Sequence, residues 1–366
     1  MNYRLRITVL SPLHIGSGDV LLRGYDFVTT ADRTWVLDQE AILAAEYDAQ
    51  AGRIDWRRLG RPPGELVDEA RLRPGSPLVR YSLAGTTTVD QVREQAKDAL
   101  GRCYLPGSSL KGALRSALFS HAVRSGHFRP DLRRLGERRE WAGLPWEREV
   151  FGRDPNHDLL RALHIADSAP LPAEPSPLML LHAQVFAAGP PGSPIVAEAL
   201  SPGTVFETTM RLDEYLFSPH AARLGLADRR EWLERLPQIV NDYSRARIQL
   251  ERNFLAGRRE LAGAARFYQE LAARPLPPEA FLLQMSWGAG WTGKSVGPWL
   301  PPEMQREIRR RYHLGRPPRS RSDWQPDLSR PFPKTRRLRS RRVQGQVVAD
   351  VPLGWVQVEM HPEGKR

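Results

Sequence analysis

The sequence predicts an α+β protein, because strand patterns and helix patterns follow one another in separate blocks along the chain. Residues 3–9 alternate apolar and polar side chains, which is typical of a half-buried strand. Residues 104–125 repeat leucine and alanine at helical spacing. Strand candidates at residues 178–187 and 205–212 then precede two or three amphipathic helices over residues 219–273.

The remaining elements are predicted by shorter patterns of the same kind. Aliphatic and aromatic runs bounded by glycine, proline or aspartate indicate short strands. Gln39 begins an alanine-rich stretch with good helix formers. In chain order, these further strand candidates are residues 24–27, 35–38, 163–168, 281–287 and 351–360, and a helix is expected over residues 39–51.

A chain of 366 residues is long enough for two or three domains. Four prolines between residues 169 and 177 mark a boundary. We therefore expect a first domain over residues 1–177, with an irregular insertion at about 52–103. The second domain would span residues 178–366, with a helical insertion at about 219–273.

The net charge of +12 is concentrated near the end of the second domain. Residues 306–342 hold thirteen arginines and Lys334 against three carboxylates. A segment this basic favours a polyanion partner, although a solvated loop can have the same composition. Lysine is the more informative cation because the chain has only five, and Lys111, Lys294 and Lys334 lie beside turns marked by glycine or proline.

The composition argues for a reducing compartment and against a membrane partner. Hydrophobic residues make up 41% of the chain, but no apolar run approaches the roughly 18 residues of a membrane span. The first residues lack the apolar core of a signal peptide. Cys103 is the single cysteine, which excludes an intrachain disulfide and a cysteine zinc site and fits a location in the cytoplasm.

The sequence offers little material for an independent enzyme. The nine histidines form no H-E-x-x-H motif, no serine lies in a G-x-S-x-G elbow between a strand and a helix, and the carboxylates are scattered. We therefore expect no metal, no cofactor and no catalytic residue.

The segment around residues 104–118 suits an anion. After a Pro-Gly turn, Ser108 and Ser109 can each cap the following helix. Lys111 and Arg115 lie four residues apart near its start, where the positive end of the helix dipole also favours a phosphate. The alternative is an ordinary capped surface helix with solvated charges.

A second glycine-bearing segment follows the first strand and is expected to be a loop over residues 13–18. Gly16 and Gly18 flank Ser17 there, and such glycines let the backbone approach a ligand closely. His14 precedes them as a candidate contact, although a lone histidine is more often a structural hydrogen-bonding group.

A third glycine segment, residues 288–295, matches the G-x-x-x-x-G-K-S pattern of phosphate-binding loops. Prolines follow closely and disfavour the helix that such a loop must open, so a P-loop nucleotide-binding protein is kept only as an alternative. Backbone amides, cations and an aromatic ring better suit a flexible phosphate chain. The candidates are Gly288, Gly290, Trp291, Gly293, Lys294 and Ser295.

Together these segments resemble the RAMP superfamily of CRISPR effector proteins. The resemblance rests on residues 11–18, on 105–115 as the most specific piece, and on the glycine segment at 288–297. It extends to Val150-Phe151-Gly152 and Ile165-Ala166-Asp167-Ser168. Residues 332–336 and 352–356 point to one branch, the fifth Csm subunits of type III-A complexes.

The resemblance implies a pair of ferredoxin-like (RRM-like) domains with helical and loop insertions. It implies a non-catalytic subunit that binds guide (cr)RNA, caps the backbone filament at the guide 3′ end and supports guide maturation and antiviral defence. Target RNA, the repeating backbone and small Csm subunits, and host nucleases would be its partners. Lys334 and Arg336, in the branch-specific segment, join the candidate RNA contacts.

Asp26 keeps an enzymatic alternative open. Repeating backbone subunits of the family cut target RNA with an aspartate in a loop after the histidine–glycine segment, and Asp26 falls near that place. A carboxylate there could orient or deprotonate a 2′-hydroxyl. The favoured interpretation is a strand residue that pairs with Arg23 or Arg33. The alternatives are an endoribonuclease or target-cleaving backbone subunit using Asp26, and a type III-B subunit with different partners.

Overall fold

A computed structural model describes residues 1–47, 56–172, 176–187, 191–315, 324–329 and 332–364. Parts of four predicted features lie outside these ranges. They are the end of the helix expected over residues 39–51, residues 52–55 of the expected insertion, Pro175 of the boundary segment, and residues 316–323 and 330–331 of the arginine-rich segment.

The described chain is a mixture of strands and helices, which confirms the α+β class. The strands are β1 Asn2–Val9, β2 Gly16–Leu22, β3 Phe27–Thr29, β4 Arg33–Leu37, β5 Val79–Ala84, β6 Gln91–Gln95, β7 Leu163–Ile165, β8 Leu178–Phe186, β9 Ile195–Leu200, β10 Val205–Leu212, β11 Ala280–Gln284, β12 Arg336–Val343, β13 Gln346–Ala349 and β14 Trp355–Pro362. The α-helices are α1 Gln39–Glu46, α2 Trp56–Leu59, α3 Gly107–Arg124, α4 Leu144–Phe151, α5 Arg230–Glu234, α6 Leu236–Leu255, α7 Ala262–Ala273, α8 Gly290–Lys294 and α9 Pro302–Arg311.

β1 lies at the centre of a five-stranded antiparallel sheet, ordered β11–β14–β1–β10–β7. Leu5 pairs with Thr208 of β10 on one side and with Met360 of β14 on the other. Leu5, Ile7 and Val9 are buried, as their alternation predicts. This sheet draws strands from both sides of the expected domain boundary. The division into two domains, and their ferredoxin-like arrangement, stay predictions.

A nine-stranded sheet in the described chain runs in the order β2–β6–β9–β8–β5–β4–β3, with β12 and β13 attached through β8. β5 and β6 lie inside residues 52–103, so the expectation of an irregular segment there is wrong. β5 pairs with β4, and β6 pairs with β2. Both strands are short, and pairing with distant strands supplies an order that their local sequence does not signal.

β2 corrects the loop expected over residues 13–18, because the strand begins at Gly16. It is an edge strand whose pairing with β6 shifts register between Gly16 and Val20. Gly18 has a φ of 109°, a value that glycine adopts far more readily than other residues. The first residues of this edge strand are therefore irregular. They border a groove.

α3 confirms the helix expected after the Pro-Gly turn, with Leu110 and Leu114 buried in the main core. Its cap differs from the prediction. The carboxylate of Asp167 accepts a hydrogen bond from the Gly107 N–H at 2.8 Å, and neither Ser108 nor Ser109 caps the helix. Gly107 itself packs closely against the backbone after β7, which leaves no room for a side chain.

α6 and α7 confirm the expected helical region, and α6 buries Ile239, Val240 and Tyr243 against the main core. α4 has no counterpart among the predicted elements. In the described part of the chain, no helix combines the length and apolar character that crossing a bilayer requires.

Candidate nucleic-acid interface

A groove of about 580 Å³ brings the three candidate segments together. One wall is the start of β2, the opposite wall is a face of α3, and the floor is the chain between β11 and α8. The predicted residues that line it are His14, Gly16, Gly18, Ser108, Ser109, Gly293 and Lys294. Segments up to 280 residues apart in sequence thus face one shared space.

His14 is a buried side chain of the groove lining. It is 4% exposed, and its Nδ1 lies 2.7 Å from the carbonyl oxygen of Glu198 on β9. The edge of the ring meets Trp287, with 5.5 Å between the ring centroids. Burial lowers the pKa of His14, and the nearby charges of Arg93 and Lys97 lower it further. The imidazole is therefore neutral at pH 7.

The floor of the groove is tied to His14 through the backbone. The Ser286 hydroxyl donates a hydrogen bond to the His14 carbonyl oxygen, and the Trp287 N–H lies 3.4 Å from the same oxygen. Ser286 has a φ of 68°, which is uncommon for a residue with a side chain. This turn fixes Trp287 beside the histidine, because it anchors the chain directly before the indole.

Two arginines lie over the indole of Trp287, and Lys294 is a further cation of the groove lining. The guanidinium carbon of Arg337 lies 4.3 Å from the indole centroid, and that of Arg93 lies 5.5 Å from it. Burial lowers the pKa of Arg337, and the charge of Arg93 adds to this effect. Burial and the charge of Arg337 likewise lower the pKa of Lys294. Within the described ranges, none of these three cations forms an ion pair, so their charge is available to an anion.

Sequence reasoning missed Trp287, Arg93 and Arg337. Arg93 lies on β6, inside the segment expected to be irregular, and Arg337 is one of many arginines in its segment. The signal that could have identified Arg337 is the alternation on β12, where Leu338 points into a core and its neighbour points to the opposite face.

Lys111 and Arg115 lie on α3 but outside the groove lining. The Arg115 guanidinium binds Glu147 at 2.9 Å and Asp158 at 2.8 Å, so its charge is already neutralised. Burial lowers the pKa of Lys111, and Asp158 partly opposes that shift. The groove wall of α3 is instead formed by Ser108, Ser109, Gly112, Ala113 and Ser116.

Much of the third glycine segment packs inward. Gly288, Gly290 and Trp291 line a separate space of about 60 Å³ with Arg336 and Arg337. Trp287 lines both this space and the groove, whereas Arg337 lines only the smaller space. The Trp291 ring meets Phe332 edge to face, with centroids 4.8 Å apart, and Ser295 Oγ donates to the Trp291 carbonyl oxygen at 2.9 Å. α8 has five residues and ends at Lys294. The segment therefore does not open the long helix that a P-loop requires.

Three further candidates, Ser17, Lys334 and Arg336, lie outside the groove lining. The Ser17 hydroxyl lies 3.2 Å from a carboxylate oxygen of Glu94 on the groove wall. Arg336 is paired with the buried carboxylate of Glu251. Lys334 is exposed. In the described ranges, no three histidine, cysteine, aspartate or glutamate side chains form a group that could hold a metal ion.

Asp26 lies outside the groove lining and stabilises a turn. Its carboxylate accepts hydrogen bonds from the Leu22 N–H and from the Gln39 amide, both at 2.7 Å. Arg23 and Arg33 bind other partners, so the expected pairing of Asp26 with one of them is wrong.

The fold and groove define a protein of the RAMP superfamily: that family matches residues 6–256, which is more than half of the chain, and the chain belongs to it. Within the family the chain is similar to proteins named CRISPR system Cms protein Csm5. The Mycobacterium tuberculosis protein is 27% identical over 231 residues, covering 59% of this chain and 56% of that protein. The Methanocaldococcus jannaschii protein is 21% identical over 317 residues, covering 81% of this chain and 73% of that protein. The match thus spans little more than half the length of the M. tuberculosis relative.

Two solved structures share the fold over nearly the whole chain. A chain in the cryo-EM structure of a Csm–crRNA–target RNA ternary complex of a type III-A CRISPR–Cas system matches with a TM-score of 0.69 and 23% identity, covering 98% of this chain and 100% of that one. The crystal structure of T. onnurineus Csm5 matches with a TM-score of 0.63 and 23% identity, covering 96% of this chain and 99% of that chain.

Proposed function

We propose that this chain is a non-catalytic RNA-binding subunit of a type III-A Csm effector complex, in which it caps the backbone filament at the 3′ end of the guide RNA. Membership of the RAMP superfamily and similarity to proteins named Csm5 support the assignment of this chain to such a complex. The fold shared with a chain of a Csm–crRNA–target RNA complex agrees with this assignment.

The observation that carries RNA binding is a set of cations that form no ion pair within the described residues. Arg93 and Lys294 line the groove, and Arg337 lies over Trp287, which the groove shares with the adjoining small space. Phosphate oxygens need positive charge and N–H or O–H donors, and Arg93, Arg337 and Lys294 supply the first. The Ser108 and Ser109 hydroxyls and the backbone beside Gly16 and Gly18 can supply the second. Contacts of this kind hold a strand with little base preference.

The proposed partners are guide RNA, target RNA and the other Csm subunits, above all the repeating backbone and small subunits. Assistance in guide maturation through host nucleases is part of the same proposal. No chemical step is assigned to the chain. Both carboxylate oxygens of Asp26 are used within its turn, which gives no support to an endoribonuclease role for that residue.

RNA binding is tested by titrating the full chain with a single-stranded RNA oligonucleotide over a range of salt concentrations. Arg93→Ala and Arg337→Ala should each weaken binding about tenfold, because each removes a charge-assisted contact. Arg266→Ala, which removes an exposed arginine of α7 outside the groove, is the matched control. Equal effects of all three substitutions would contradict a specific groove.

The capping role is tested by assembling the other Csm subunits on a guide RNA with and without this chain. The expected result is nuclease protection of the guide 3′ end only when the chain is present. Protection that is unchanged by the chain, or that appears at the 5′ end, would contradict the capping role without affecting RNA binding.

A further inference from the structure

His14 places a buried hydrogen-bond acceptor in a groove whose lining also includes the carboxylates of Asp19 and Glu94. Its ring is almost fully buried, and its Nδ1 is occupied by the carbonyl oxygen of Glu198. Nε2 has no hydrogen-bond partner within the described residues, although His14 lines the groove. A neutral imidazole has one N–H and one lone pair, so the role of Nδ1 decides the role of Nε2.

The hydrogen bond to Glu198 sets that role. A carbonyl oxygen can only accept, so Nδ1 carries the proton and donates it across 2.7 Å. Nε2 therefore holds the lone pair and can only accept. Turning the ring over would place a carbon against the Glu198 oxygen and lose this bond, which in a buried site is costly.

The ring cannot easily move away from this position. It packs at 79° to the indole of Trp287, and Ser286 binds the backbone carbonyl oxygen of His14. Gly16 keeps the space beside Nε2 open, because a Cβ on this residue would lie 3.2 Å from that nitrogen. The acceptor is thus fixed in place and bordered by bare backbone.

We propose that His14 Nε2 accepts a hydrogen bond from a ribose 2′-hydroxyl of the bound strand, so that this residue makes the groove prefer RNA over DNA. The inference rests on the proposed function. Phosphate groups have no proton to donate at neutral pH, whereas the 2′-hydroxyl donates and is what distinguishes RNA from DNA. Trp287 borders both His14 and the cations Arg93 and Arg337, so a phosphate held there would keep its own sugar near the histidine.

The variant His14→Asn tests the role of Nε2 separately from the role of Nδ1. The asparagine amide can still donate to Glu198, in place of Nδ1, but it has no group at the position of Nε2. His14→Gln is the converse variant, because its longer side chain can place an amide oxygen near the Nε2 position. His182→Asn is the matched control, since His182 is another partly buried histidine, bound to Thr86 and outside this groove.

The experiment measures the dissociation constants of the full chain for a single-stranded RNA and for DNA of the same sequence. The wild-type protein should bind RNA about fivefold more tightly, the contribution of one hydrogen bond. His14→Asn should reduce that ratio to near one by weakening RNA binding alone, His14→Gln should retain part of it, and His182→Asn should leave it unchanged.

Single 2′-deoxy substitutions along the RNA provide a second readout that needs no protein variant. One or more positions should weaken binding to the wild-type protein and should have no such effect with His14→Asn. Equal affinity for RNA and DNA, a ratio that survives His14→Asn, or a His14 effect that follows base identity instead of the sugar would each overturn the inference while leaving the groove as an RNA site. Absence of RNA binding by the wild-type chain would instead overturn the proposed function.

Discussion

The guanidinium group of Arg337 lies over the indole of Trp287, with its central carbon 4.3 Å from the ring centroid. β12 presents the arginine and the turn after β11 presents the tryptophan, so the contact joins two separate parts of the chain. An arginine on an aromatic face keeps its outer N–H groups free for phosphate oxygens. Trp287 lines the groove, and Arg337 reaches its ring from the adjoining space of about 60 Å³.

Arg337→Gln should reduce the salt dependence of RNA binding as well as the affinity. Each phosphate contact on a single strand contributes about −0.7 to the slope of log affinity against log salt concentration, so the slope should become shallower by about that amount. Filter-binding or anisotropy titrations measure it. The exposed Arg266→Gln serves as control. A slope equal to that of wild type would show that Arg337 does not meet a phosphate.

The buried ion pair between Lys97 and Glu198 should be essential for stability. Its atoms lie 2.5 Å apart, and the two side chains are 5% and 0% exposed. Lys97→Met leaves the Glu198 carboxylate buried and unpaired, so the free energy of unfolding should fall by about 3–5 kcal/mol. The exposed pair Arg235 with Glu231 is the control, and Arg235→Met should cost well under about 1 kcal/mol. Urea unfolding measures the free energy of unfolding of both variants. A similar decrease in the two variants would contradict the burial of the Lys97–Glu198 pair.

Two glycines of α3 should respond in opposite ways to alanine. A Cβ on Gly107 would lie 2.7 Å from the Ala166 carbonyl oxygen and closer still to that of Ile165, so Gly107→Ala should destabilise the protein by about 1–3 kcal/mol. A Cβ on Gly112 would meet nothing within 4 Å, so Gly112→Ala should stabilise the helix by up to about 1 kcal/mol. Thermal melts compare the melting temperatures of both variants with that of the wild type. A Gly107→Ala protein as stable as the wild type would refute the close contact at the start of α3.

Stability should fall on mild acidification because four histidines lose part of their hydration on folding. This desolvation lowers the pKa of His14, His121, His164 and His182 in the folded protein, although only His14 is buried. The unfolded chain therefore binds protons at a higher pH, and the free energy of unfolding should decrease as pH falls from about 6.5 towards about 5. Urea unfolding at several pH values measures this, and His14→Asn should flatten the curve. A free energy of unfolding that rises over the interval would contradict the prediction.

The single cysteine offers a chemical test of packing. Cys103 is 4% exposed, and burial raises the pKa of its thiol to about 12. Because the thiolate is the reactive form, a thiol reagent at neutral pH should label the unfolded chain rapidly and the folded chain very slowly. Rapid labelling of the folded protein would show that the segment leading into α3 is not packed as described.

The sequence was sufficient for the parts of the fold that carry strong local patterns. β1, α3 and α6 follow from apolar periodicity, and the turn at Pro106 places the start of α3 within a residue. Pairing partners cannot be read from such patterns, so the strand order around β5 and β6 could not be predicted. The cap of α3 was missed for the same reason, since Asp167 reaches Gly107 from a distant segment.

Binding of RNA by the candidate residues stays a prediction, and the structure shows where those residues lie. The three glycine segments do meet in one groove. A linear sequence cannot say which face of a helix a neighbour will cover, and so Arg115 was expected at the anion although it binds two carboxylates. Arg93 and Arg337 gain their role only because β6 and β12 bring them to the same indole.

Photo-crosslinking of the full chain to a single-stranded RNA that carries thio-uridines, followed by mass spectrometry of the linked peptides, tests the groove most directly. Crosslinks are expected in residues 14–20, 108–116 and 286–294, and they should be lost when Arg93 and Arg337 are both replaced by alanine. Crosslinks confined to the helical region of residues 219–273, with none in those three segments, would show that RNA binds elsewhere.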